Sequence, residues 1–329
     1  MSEVKAVTPA PVQSVALDAP DYYINRDLSL LEFNRRVLEN AKETANPLLE
    51  RLQFLCICCG NMDEYFEVRV AGLKKRAQYG SGHPDPDGHT PPDVLSRISV
   101  VAHELVREQY RVLNEELLPA LATERIRFLK RDEWGEGRTR WVKEYFEDEI
   151  LALLTPMGLD PAHPFPRVLN KNLNFIVTLS GKDAFGRLGK VAIVQVPRSL
   201  PRVIPMPDSE SGSHDFVFLS SVIHAHVDGL FPGMTVTGCH QFRVTRDADL
   251  MVDNEEVDDL LLALEGELPG RRFGDEVRLE VDDTCPEDLR HFLRQQFDLG
   301  NDAVYQMNGP VNLGRLQAIH ALIDRPDLK

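Results

Sequence analysis

This 329-residue chain has no apolar run approaching the roughly 20 residues needed to span a bilayer. It has no surplus of positive charge: 52 Asp and Glu against 37 Lys and Arg leave a net charge of −15. Bulk attraction to nucleic acid or to an anionic membrane is therefore excluded, although a local basic pocket is not. Cysteine is scarce, with five in all, three of them crowded into Cys56, Cys58 and Cys59. On a helix Cys56 and Cys58 point about 200° apart, which no single ion can use. With no CxxC or His partner at zinc spacing, the cluster reads as small buried side chains of a reduced, cytoplasmic protein. Also missing are a GxxxxGK[ST] phosphate loop, a GxGxxG turn after a strand, HExxH and GxSxG.

The most informative segment is Asn46 to Arg76. Asn46 as cap and Pro47 at the first helical position start a helix with no further Gly or Pro until Gly60. Leu48, Leu52, Leu55, Cys59, Met62, Phe66, Val70 and Leu73 recur at spacings of three and four, giving one apolar stripe. Phe54, Ile57, Asn61, Tyr65 and Val68 form a second stripe about 100° round. A primary amide among such side chains needs a partner, and either the fold or a ligand supplies it. Phe54 and Tyr65 are candidate stacking walls for a heteroaromatic ring read by Asn61, and Arg69 and Arg76 share a strip that could steer phosphates. A buried amide bonded to a neighbouring helix, with solvated arginines, is the plainer reading of the same residues.

Residues 1–20, rich in Ala, Val and Pro with neither a basic start nor an apolar core, are expected to be a disordered leader. Asp27 is expected to cap a helix from Leu28 to about Thr44, and Asp93 to lead a third from there to about Leu121. Between the second and third lies a loop from Gly80 to Pro92. Residues 21–124 thus read as a three-helix up-down bundle. From 125 to 329 the pattern turns α+β with a mixed sheet. Strands are expected at Ile126–Leu129, Leu173–Leu179, Val191–Val196, Phe216–Leu219, Gln241–Thr245 and Val277–Val281. Helices are expected at Arg138–Leu154, Ser221–Leu230, Glu255–Glu267, Pro286–Phe297 and Asn312–Ile323, and a hairpin turn at Gly181–Arg187.

Other candidates are bland. His224 and His226 share a face in a strand but diverge in a helix, and Ser220-Ser221 before them favours the helix. His163 sits in a Pro-rich turn. The pairs Asp258-Asp259 and Asp282-Asp283 read as solvated faces and turns, and no acid/base dyad can be named from spacing.

The residues from Tyr23 to Leu38 (YINRDLSLLEFNRRVL), Asn46 to Leu55 (NPLLERLQFL) and Gly60 to Val70 (GNMDEYFEVRV) resemble the amino-terminal domain of bacterial polyphosphate kinase of the autophosphorylating type. Further matches are His163-Pro-Phe-Pro166 with Asn170-Lys-Asn-Leu-Asn174, Phe242 to Leu250 (FRVTRDADL), and the ending Leu322 to Lys329 (LIDRPDLK). The resemblance implies a helical domain, a head resembling the phox-homology fold and linked to dimer formation, and two carboxy-terminal catalytic domains. It implies reversible transfer of the terminal phosphate of ATP to polyphosphate through a phosphohistidine, with magnesium. It places Asn61 in the ATP site. The chain stops about where the first catalytic domain of the family begins, and none of its ten histidines matches the nucleophile's motif. No catalytic or magnesium-binding residue is therefore carried over, and the chain alone is expected to be inactive. Two functions stay open. One is the nucleotide-side and dimerising half of a polyphosphate kinase, partnered by the missing carboxy-terminal half. The other is a non-catalytic binding or scaffolding module for nucleotide, polyphosphate or a partner protein.

Overall fold

Asn25, rather than Asp27, starts the first helix: its side chain accepts from the Asp27 and Leu28 amides at 3.0 Å. In this computed structural model, which describes residues 19–80, 83–160, 162–182, 190–207, 213–248 and 274–329, that helix (α1) is Arg26–Lys42. The leader up to residue 18, the expected helix at 255–267 with its acidic pair, and most of the turn at 181–187 lie outside the described residues. The long arm begins one residue later than expected. Pro47 is the cap of α2 (Leu48–Glu64), and the Asn46 side chain instead donates to the Asn40 carbonyl. A π-helical turn, Tyr65–Val70, joins α2 to α3 (Ala71–Gln78). The third arm, α4 (Pro91–Arg111), starts at Thr90, whose amide donates to the Asp93 carboxylate at 3.1 Å. A second π turn, Val112–Leu117, leads into α5 (Leu118–Thr123).

Leu52, Leu55, Cys59, Met62, Phe66, Val70 and Leu73 of the first stripe are all buried, with Leu31, Leu38 and Ala41 from α1 and Val94, Ile98, Ala102 and Leu105 from α4 in the same core. The second stripe is only partly core: Tyr65 is buried and Phe54 packs against the core. Ile57 and Val68 are about two-fifths exposed (40% and 39%), and Asn61 is half-buried, so this side of α2 opens outward.

Beyond the arms the chain forms β1 (Ile126–Phe128), α6 (Gly135–Tyr145), β2 (Thr155–Gly158), β3 (Asn174–Gly181), β4 (Val191–Gln195), β5 (Val203–Pro205), β6 (His214–Phe218) and α7 (Leu219–His226). Then follow β7 (Met234–Arg246), β8 (Glu276–Asp282), α8 (Glu287–Gln296), β9 (Val304–Met307) and α9 (Ala318–Leu322). One sheet has the order β1-β6-β5; the larger has β2-β4-β3-β7-β8-β9. The latter is antiparallel except for the β8–β9 pair, which α8 bridges. Three strands had no sequence signal: β2, β5 and β9. Each has three or four residues and sits at a sheet edge, and β2 and β5 contain Pro, which edges tolerate because one side of the strand needs no donor.

Alternation along the central strands separates two cores. Ile176, Ile193, Phe242, Val244 and Leu279 face one side, where Leu293 and Phe297 cover them. Phe175, Val177, Ala192 and Val194 face the core shared with the helical arms. On that second face β7 and β8 present Arg243, Arg278 and Glu280, and the long arm lies against them.

Candidate functional site

Asn61 opens into a cleft of about 310 Å³ between α1 and the long arm, lined by Leu30, Phe33, Asn34, Asn61, Glu64, Tyr65, Val68 and Arg69. Its amide has no side-chain hydrogen bond among the described residues, so the fold leaves both of its donors and its acceptor for solvent or a ligand. Tyr65 is held in place by its hydroxyl, which donates to the Asp27 carbonyl at 3.1 Å. Phe54, the other expected wall, does not line this cleft. Phe33 of α1 does, at 48% exposure. It escaped the sequence reading because its partners are on another helix and its own neighbours put it outside the apolar face of α1.

Arg69 belongs to this cleft and to an adjoining one of about 330 Å³ that contains Asn25, Asp27, Arg76, Asp85 and Asp87. The structure therefore brings Arg69 to Asn61 and sets Arg76 in the second chamber. Both arginines face carboxylates, Arg69 with Asp27 at 3.9 Å and Arg76 with Asp85 at 2.8 Å. Burial pushes the Asp27 carboxyl above its ordinary value, while Arg69 pulls the other way. Near-balanced charge and two ring-bearing walls suit a flat heteroaromatic group better than a free triphosphate.

The position of α2 is fixed from its opposite side by a buried charge cluster that the sequence pattern did not reveal. Asp63, two residues on from Asn61, accepts from Arg243 through both oxygens, at 2.8 and 2.9 Å, and from Arg278 at 2.5 Å. Arg243 also donates to Glu280 at 2.8 Å, and Arg278 lies 3.2 Å from the same carboxylate. The two arginines are each 1% exposed, and the Arg278 guanidinium rests 4.4 Å above the Phe66 ring. Burial alone would raise the Asp63 carboxyl, but Arg243 and Arg278 hold it below its ordinary value. The available signal was a carboxylate set inside the apolar stripe, three residues before Phe66. Further along, Glu67 accepts from Asn170 at 2.6 Å and Lys171 at 2.7 Å, and Lys75 pairs with Asp247. The face away from Asn61 is thus tied to the large sheet over several turns.

The remaining candidates stay apart. His224 and His226 stand on α7 and diverge; His226 packs against Phe146 at 5.4 Å. His163 is exposed, 3.3 Å from Asp160 in its own turn. Cys56, Cys58 and Cys59 are buried free thiols, and burial raises Cys58 to about 12 and Cys59 to about 11. Among the described residues no group of three or more His, Cys, Asp or Glu is arranged to hold a metal ion. Nor is any described helix long and apolar enough to cross a membrane.

The chain thus folds into a helical domain, with an outer groove that offers an amide and two rings, locked by buried charge onto a mixed sheet. Its sequence matches the polyphosphate kinase N-terminal domain over residues 23–129 and the polyphosphate kinase middle domain over residues 138–319. The chain belongs to the polyphosphate kinase family. It is 53% identical over 314 residues to a polyphosphate kinase of Pseudomonas aeruginosa, covering 95% of this chain and 46% of that one. It is 53% identical over 305 residues to one of Neisseria gonorrhoeae, covering 92% of this chain and 44% of that one. The crystal structure of polyphosphate kinase from Porphyromonas gingivalis shares the fold at a TM-score of 0.73 and 24% identity, over 92% of this chain and 41% of that one. The chain thus spans less than half the length of these relatives.

Proposed function

We propose that this chain is the nucleotide-side and dimerising half of a polyphosphate kinase, whose whole form moves the terminal phosphate of ATP reversibly to polyphosphate through a phosphohistidine. In this reading residues 21–124 are an up-down three-helix bundle, residues 125–329 are a phox-homology-like head through which two copies associate, and the protein works in the cytoplasm. The observation that carries the nucleotide role is the Asn61 carboxamide, free of side-chain partners and sharing a cleft with Phe33 and Tyr65. The amide reads the edge of the adenine, the rings cover its faces, and Arg69 marks the way out towards the phosphates.

The same geometry argues that the chain alone does not transfer phosphate. Phosphoryl transfer needs positioned nucleophile and leaving group with compensating charge around the phosphates. Here Arg69 and Arg76 are matched by Asp27 and Asp85, and no group of three or more metal-ligating side chains is assembled among the described residues. Magnesium and the phosphate contacts then come from the remainder of the enzyme.

The test is a titration of ATP into this chain and into Asn61→Ala. Loss of one amide contact is worth about 1 kcal/mol, so the variant is expected to bind roughly fivefold more weakly, with no turnover in either. Equal, measurable binding by both refutes the role of Asn61.

A further inference from the structure

A second cleft, of about 720 Å³, shares no lining residue with the Asn61 cleft. It lies where the turn after β4 and the segment entering α9 meet the first turns of α2. Arg198, Arg202 and Arg315 line it, together with Gln53. Its one carboxylate, Glu50, lies 3.1 Å from the His320 ring rather than against any of the arginines. Among the described residues no carboxylate pairs with any of the three guanidinium groups. Arg198 donates to the Asn170 carbonyl, and Arg202 to the Pro197 and Leu200 carbonyls at 3.1 and 3.4 Å, which leaves N–H groups on each uncommitted. Arg315 is exposed at the rim. Burial, followed by the charges of Arg315 and Arg198, brings Arg202 down to about 10. In a chain of net charge −15, three guanidinium groups against one carboxylate make this a net cationic pocket whose self-repulsion a bound anion would relieve.

The lining also says what kind of anion fits. No Phe, Tyr or Trp borders the cleft, so nothing is there to stack a base, in contrast to Phe33 and Tyr65 in the nucleotide cleft. Three planar guanidinium forks around one space of about 720 Å³ match several phosphoryl groups, each of which offers paired oxygens. The Gln53 Oε1 has no partner among the described residues, and turning the amide over presents two N–H donors in its place.

We infer that the Arg198–Arg202–Arg315 cleft binds a condensed phosphate chain at a site separate from the Asn61 cleft. The inference deepens the polyphosphate reading by giving the polymer its own place on this half of the enzyme, and it stands on the arginines rather than on the nucleotide role. The test titrates inorganic polyphosphate, orthophosphate, ATP and a single-stranded DNA into the chain, into Arg315→Gln, into Arg202→Gln/Arg315→Gln, and into Asn61→Ala. Polyphosphate is expected to bind the chain more tightly than orthophosphate or DNA. Affinity should fall roughly tenfold for Arg315→Gln and roughly a hundredfold for the double variant. The slope of log Kd against log salt should drop by about one per arginine removed. Asn61→Ala should leave polyphosphate binding unchanged, which separates failure here from failure of the nucleotide reading. Arg315 is exposed, so its variant keeps the fold, and unchanged polyphosphate affinity in it and in the double variant would overturn the inference. So would DNA binding as tight as polyphosphate and equally sensitive to the variants, or an ATP affinity that falls with the arginines while polyphosphate affinity does not.

Discussion

Replacing Asp63 by Asn should be the most damaging single-atom change in the helical domain. The cluster holds two cations, Arg243 and Arg278, and two anions, Asp63 and Glu280, with both arginines 1% exposed. The substitution would leave two buried guanidinium groups facing one carboxylate, and the new amide N–H₂ would point at a donor. Breaking a buried pair from one side costs about 3–5 kcal/mol, because the surviving charge stays out of water without compensation. For a chain of this size that is a fall of roughly 6–20 °C in melting temperature, at about 2–4 °C per kcal/mol. Calorimetry at neutral pH, with denaturant unfolding alongside, measures it. The exposed pair Lys143–Glu147, at 3.7 Å with side chains 61% and 52% exposed, is the control; Glu147→Gln should cost less than about 1 kcal/mol. Adding Arg278→Met to Asp63→Asn restores neutrality and should recover part of the loss. If Asp63→Asn costs no more than Glu147→Gln, the cluster does not hold the domains together.

Acid should act through the same carboxylate. Arg243 and Arg278 hold Asp63 below its ordinary value, so its contribution is full above the unfolded value of about 3.9 and fades as pH falls through the lower folded value. Stability should therefore be flat down to about pH 5 and drop below about pH 4, with a shallower drop in Asp63→Asn. Asn25→Ala removes the acceptor for the first amides of α1 and should cost about 1 kcal/mol in denaturant unfolding; no measurable loss would contradict the cap. The five cysteines are buried, and burial raises Cys58, Cys239 and Cys285 to about 12. A thiol reagent at about pH 8 should label the native chain far more slowly than the denatured one, since only thiolate reacts; prompt native labelling would show that the thiols are accessible.

The parts of the fold that the sequence announced are those whose signal is local. The three helical arms show in the spacing of Leu52, Leu55, Cys59 and Met62 and its counterparts, and the central strands show in runs such as Val191 to Val194. Edges such as Thr155–Gly158 and Val304–Met307 are too short for a period and gain their pairing from a neighbour distant in sequence. The Asn61 cleft was half legible. The awkward amide and Tyr65 belong to one helix, whereas Phe33 reaches them only because α1 packs against α2. Two residues could be assigned to opposite sides only once α2 was placed: Asn61 faces the cleft, and Asp63 faces Arg243 and Arg278, which come from strands about two hundred positions away. The arginine cleft was invisible for the same reason, its residues being drawn from three separate stretches of an acidic chain.

The measurement that bears most directly on the account is photoaffinity labelling with 8-azido-ATP, followed by peptide mapping. The account predicts that the label falls on the segments carrying Phe33 and Tyr65, is suppressed by excess ATP, and weakens in Asn61→Ala while persisting in Arg202→Gln/Arg315→Gln. Label concentrated on the segments around Arg202 and Arg315, or labelling by Asn61→Ala as strong as the parent chain, would contradict it.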